Sequence, residues 1–135
     1  ETSPFFDLKS INLESNQILS NRKNVGMFSY STSSQVIDDN KFMIVYLQAI
    51  FPETSDTSRY KVMISDRDGS NSYRIFPSEG NQGIDPQSIS WEPCIEKSLC
   101  HAGILYQGNI WLVNINQNES MQLTGDGLIT RFSWK

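Results

Sequence analysis

A chain of 135 residues has the size of one ordinary domain or a piece of one, and a composition of 38% hydrophobic and 19% charged residues is globular enough to bury a core. The formal net charge of −4, with Arg22-Lys23 the densest basic spot, excludes the electropositive footprint that nucleic acid or an anionic membrane would need. The longest apolar run, residues 42–51, is broken by Gln48 and is too short to cross a bilayer as a helix, so no membrane insertion is expected.

Taken in order, residues 5–11 and 17–20 are short apolar runs around a polar turn at 12–16, the pattern of a β-hairpin. Residues 21–24 read as a polar loop carrying Arg22 and Lys23, and strands follow at 26–31 and 41–50 across a polar connection at 31–40. An extended loop at 50–59 leads to an alternating strand at 60–66, a turn centred on Asp68-Gly69 and a return strand at 73–77. After a second polar connection at 78–87, strands are expected at 88–92, 102–107, 109–116 and 121–124. Gly125-Asp126-Gly127 punctuates, and a last strand opens at 129–134. No helix is expected anywhere beyond a single turn at 95–101, so the fold class is all-β with antiparallel strands.

The chain also repeats itself. Residues 10–30 lie without gaps on 114–134, with Ile11, Asn12, Leu19, Phe28 and Ser29 identical to Ile115, Asn116, Leu123, Phe132 and Ser133. Ser90-Trp91 marks a middle copy about 61 residues after Ser29 and 43 before Ser133, and spacing in the low forties suits a four-stranded propeller blade.

Gly108-Asn109-Ile110-Trp111-Leu112-Val113-Asn114-Ile115, Gln122-Leu123-Thr124, Ser133-Trp134 and Asp66-Arg67-Asp68-Gly69 together resemble the TolB-like (PD40, WD40-like) β-propeller repeat. Ser90-Trp91-Glu92-Pro93 keeps the Trp and Pro of the repeat's Trp-Ser-Pro-Asp-Gly corner, while residues 94–100 replace its Asp-Gly turn. The resemblance implies about two and a half to three blades in one module: a partial blade at 1–24, blades at 25–80 and 85–126, and the start of another at 127–135. A β-sandwich built from the same hairpins is the alternative. Such blades have two apolar faces and are stable when neighbours cover both. Closed propellers hold four to eight blades, so a homodimer that pairs residues 5–20 with 129–134 between chains is one way to complete the ring.

Little in the sequence points to catalysis. There is no Gly-x-Ser-x-Gly, and His101 is the single histidine. Asp38-Asp39 and Asp66/Asp68 fall in turns, where aspartate serves the backbone. Residues 66–71 look like half a calcium loop, but its first ligand position falls on Ile64 and no Glu closes it. Cys94 and Cys100 suit a local disulfide in an exported protein, with two free buried thiols as the alternative; structural zinc would need more ligands than these and His101. Asn118-Glu119-Ser120 is a glycosylation sequon on a turn.

Trp91, Trp111 and Trp134 are expected to pack between blades. The functional alternative, an exposed ring stacking on a sugar or peptide, falls on Trp111 and Trp134. The expectation is therefore a non-enzymatic scaffold with no cofactor and no metal, binding protein or else peptide or carbohydrate through the loops at 31–40, 51–58 and 78–87. The start at Glu1 without a signal peptide suggests a trimmed or mature product, and the cysteine pair suggests a periplasmic or extracellular location. The gating propeller of a serine oligopeptidase and a carbohydrate-binding β-sandwich are the other readings.

Overall fold

The computed structural model describes residues 5–32, 43–54, 59–66, 71–91, 101–115 and 119–133. Among them every regular element is a strand: β1 (Phe5–Ile11), β2 (Ile18–Thr32), β3 (Met43–Ala49), β4 (Tyr60–Asp66), β5 (Tyr73–Phe76), β6 (Ser90–Trp91), β7 (His101–Tyr106), β8 (Asn109–Asn114) and β9 (Glu119–Gln122). They form two antiparallel meanders, a five-stranded sheet in the order β1-β2-β3-β4-β5 and a four-stranded sheet in the order β6-β7-β8-β9. Among the described residues the strands close neither a barrel nor a propeller ring.

β3 and β4 are apolar on both faces, which is why they read as nearly continuous hydrophobic runs. Val45, Leu47 and Ala49 with Tyr60, Val62 and Ile64 point to one side. There they meet Ala102 and Ile104 of β7 and Val113 of β8, with Ile115 just beyond it, in a single core. On the other side Ile44, Tyr46 and Met63 form a smaller cluster with Val25 of β2, against which Leu8 of β1 packs. Each fully buried aliphatic side chain of this kind contributes roughly 1.5–3 kcal/mol by leaving water.

The turns follow from their residues. Asn12 accepts the amides of Glu14 and Ser15 on Oδ1 at 2.9 and 3.1 Å, fixing the β1–β2 turn. Between β7 and β8, Gln107 and Gly108 both have positive φ (51° and 71°), the two-residue turn whose twist suits a hairpin. A Cβ on Gly108 would also overlap the Gly127 carbonyl, so this glycine is required twice over.

Three expectations change. Residues 21–24 are not a loop: β2 runs straight through them, because Arg22 is buried and its polar groups are satisfied inside the fold. The 5–20 hairpin consequently belongs to the same sheet as residues 43–76. Between the Val25–Gln48 and Tyr30–Tyr46 pairs the register shifts, five residues of β2 advancing against two of β3. The returning strand after β8 occupies Glu119–Gln122 and not 121–124, since pairing with β8 sets its register. Finally, residues 129–133 form no strand. The Ile129 amide is held instead by the Gly108 carbonyl at 2.9 Å.

Candidate functional site

The two sheets meet along the connection from β5 to β6, which is polar in sequence yet firmly bonded at several points. Ile84 bridges Tyr60 at the start of β4 through two backbone hydrogen bonds of 3.0 and 2.9 Å. Gly83 lets this approach happen, because a Cβ there would meet Arg59 and the Tyr60 carbonyl. Three residues on, the Gln87 side chain takes the Leu105 amide at 2.7 Å and donates to the Leu105 carbonyl at 2.8 Å. It thereby does for β7 what the two-residue β6 is too short to do. The Tyr106 hydroxyl donates to the Gln82 carbonyl at 2.8 Å, and Arg59 and Asp85 make a surface ion pair.

On one side of this connection lies a cleft of about 370 Å³ lined by Arg74, Ile75, Pro77, Ser78, Glu79 and Ser120. That volume lies in the range of ordinary ligand pockets. Arg74 comes from β5 and donates from Nε to the Pro77 carbonyl and from Nη2 to the Ser78 carbonyl at 3.2 Å. The guanidinium thus shapes the near wall of the cleft. Ser120, on β9, is contributed by the other sheet. A smaller recess of about 100 Å³ lies between Arg59, Gln82, Asp85, Tyr106 and Gln107.

Trp111 is half-buried on the inner face of β8, with its ring centroid 5.4 Å from Phe76 and 6.2 Å from Tyr106. Phe76 and Tyr106 in turn meet edge to face at 5.2 Å. The three rings tie β5 to β7 and β8. The indole Nε1 is buried without a hydrogen-bond partner. Trp134, Cys94 and Cys100 lie outside the described residues, as do Asp38, Asp39, Asp68, Asn118, residues 33–40 of the 31–40 loop and residues 55–58 of the 51–58 loop. Trp91 is placed in β6, opposite Ala102.

Other residues singled out in the sequence are not brought together. His101 lies half-buried opposite Asn114 on β8. Asp66 accepts the Asn71 side-chain amide at 2.7 Å, and Ile64, where a calcium loop would need its first ligand, is fully buried in the core. Among the described residues no three His, Cys, Asp or Glu side chains are grouped to hold a metal ion, and no helix is long and apolar enough to cross a membrane.

Arg22, expected in a polar loop, is a buried structural residue. Its Nε and Nη2 donate to Ser65 Oγ at 3.0 and 2.7 Å, and Nη2 also donates to the Asp66 carbonyl at 2.7 Å. Its guanidinium lies 5.4 Å from the centre of the Tyr46 ring. This clamp holds β2 across the outer face of β3 and β4. Burial raises the pKa of the Tyr60 hydroxyl above 10.0. Tyr73, which donates to the Ile115 carbonyl at 3.3 Å, is raised by burial and further by the negative charge of Asp66.

The motif residues that carried the propeller resemblance do converge. Thr124 Oγ1 accepts the Ile110 amide at 3.0 Å and donates to Asn109 Oδ1 at 3.3 Å, and Asn109 Oδ1 accepts the Gly127 amide at 3.0 Å. Asn109 and Thr124 therefore fold residues 124–129 back over the β7–β8 turn. No protein-family model, curated protein or solved structure matches the chain.

Proposed function

We propose that the chain is a non-enzymatic binding module of propeller-blade type that works outside the cytoplasm and holds a polypeptide segment in the cleft between its two sheets. The cleft is the observation that carries this reading: it sets a cation, a carboxylate and two hydroxyls around an Ile-Pro floor, a mixture that suits peptide groups better than a single charged metabolite. Two consecutive meanders packed through one core are compatible with neighbouring blades, and the β7–β9 turn network gives the repeat's Gly-Asn and Leu-Thr residues a structural reason. The extracytoplasmic setting rests on the resemblance and on the cysteine pair Cys94 and Cys100.

A test is to pan a random peptide library against the chain and measure the affinity of the selected peptides for wild type, Glu79→Arg and Ser78→Trp. Peptides that weaken more than about tenfold on both variants, a loss of roughly 1.4 kcal/mol or more, would support the cleft as the site. Selected peptides that bind both variants as tightly as wild type would remove it.

A further inference from the structure

Among the described residues the outer strands β9 and β1 are unlike one another as edges. β1 is interrupted by two register shifts, between Phe6 and Leu8 and between Ser10 and Ile11, and exposes Asp7 and Lys9. Bulges and charges of this kind discourage pairing with another strand. β9 has no register shift against β8, all four of its side chains are exposed, and Glu119 is its only charge. Met121 and the adjoining Leu123 are 57% and 50% exposed.

The backbone of β9 fixes what could pair with it. The Leu123 amide donates to the Ile110 carbonyl at 2.8 Å, so residues 123, 121 and 119 direct their N–H and C=O groups toward β8. Ser120 and Gln122 therefore direct theirs outward. Two outward residues flanking one inward residue form a self-complementary unit. In an antiparallel arrangement with a two-fold axis through Met121, Ser120 faces Gln122 of a second copy in a hydrogen-bonded pair, and Gln122 faces its Ser120. That makes four backbone hydrogen bonds.

We propose that β9 pairs with β9 of a second copy of this chain, joining the two four-stranded sheets into one of eight strands. The side chains agree with that register. Met121 meets its own copy in the close, non-hydrogen-bonded position, where side chains are nearest. Leu112 lies directly opposite Met121 on β8, so the outer face gains a continuous row of Leu112, Met121 and their two counterparts. Glu119 lies opposite Leu123 of the copy, and the two Glu119 residues sit four positions apart along the ladder, roughly 13 Å, farther than a Debye length at physiological salt. The remaining repulsion comes from the net charge of −4 on each copy, so association tightens as salt is added. This contact differs from the one expected between residues 5–20 and 129–134, since 129–133 forms no strand to pair with.

The experiment is light scattering on the intact chain over a concentration series, alongside Gln122→Pro, Met121→Lys and amide hydrogen exchange. Proline at 122 removes an outward N–H and leaves the β8 ladder intact; Met121→Lys keeps every backbone group but sets two ammonium groups face to face. The wild-type mass should rise to twice the monomer, with the Ser120 and Gln122 amides gaining protection in step. Both variants should weaken the dimer more than about tenfold while melting close to wild type. If Gln122→Pro fails to fold, Met121→Lys decides alone. A wild type that stays monomeric at every concentration would leave the edge to some other strand and overturn the proposal. So would a dimer that survives Met121→Lys, or one whose Ser120 and Gln122 amides exchange as in the monomer.

Discussion

Trp111 contributes through its ring and not through its nitrogen. The indole packs on Phe76 and Tyr106, yet its buried Nε1 donates to nothing. Trp111→Phe keeps an aromatic surface and discards an unpaired donor together with part of the ring's volume, so urea unfolding should show a loss of about 1 kcal/mol, against about 3 kcal/mol for Trp111→Ala. Arg22 is the opposite case, a buried residue whose polar atoms matter most. Arg22→Met retains much of the stem but withdraws donors from Ser65, which has no exposed surface, and from the Asp66 carbonyl. The same assay should register a loss of about 2–3 kcal/mol, because acceptors buried without a partner bear their full desolvation cost.

Elements are held by side chains that look like punctuation in the sequence. Asn109 Oδ1 gathers Thr124 Oγ1 and the Gly127 amide, and nothing else shown secures residues 124–128 to the β7–β8 turn except the Thr124 contact with Ile110. In Asn109→Ala the Gly127 and Ile129 amides should exchange at least about tenfold faster while the Ile104 and Val113 amides, deep in the ladder, are unchanged. Much of the strand order was legible because β3, β4, β7 and β8 carry dense β-branched and aromatic runs between Gly, Asn and Asp turns. Residues 21–24 were misread because Arg, Lys and Asn resemble a solvated loop, and only the distant Ser65 and Asp66 reveal a place for a buried guanidinium. Residues 129–133 alternate like a strand, but their first amide is already taken by Gly108 and no neighbouring strand receives them. The cleft was illegible for a related reason: Arg74 and Ser120 belong to different sheets, and no local pattern brings residues so far apart in the chain onto one wall.

For the molecule as a whole, the shared core makes the two sheets one cooperative unit, and its tyrosines link that unit to pH. Tyr60 and Tyr73 hold their protons more tightly when folded than the ordinary value of 10.0. Their contribution is complete below about pH 10, where both states are protonated, and is lost as the pH climbs toward the folded values, because the unfolded chain ionises first. Urea midpoints should accordingly fall above about pH 10, with a slope of at most about 1.4 kcal/mol per pH unit from Tyr60. Tyr73 is 40% exposed and adds less through screening. Tyr60→Phe should flatten the alkaline limb, and an unchanged limb would exclude Tyr60 as its source. The unequal sheet edges bear on what happens at high concentration. A two-fold contact through β9 uses up the only edge among the described strands that is both straight and longer than two residues, leaving β1 and β5, each paired through a register shift, and the two-residue β6 at the margins. These margins are too short or too irregular to template a further copy, so growth ends at a discrete particle and has no route to an open-ended fibre.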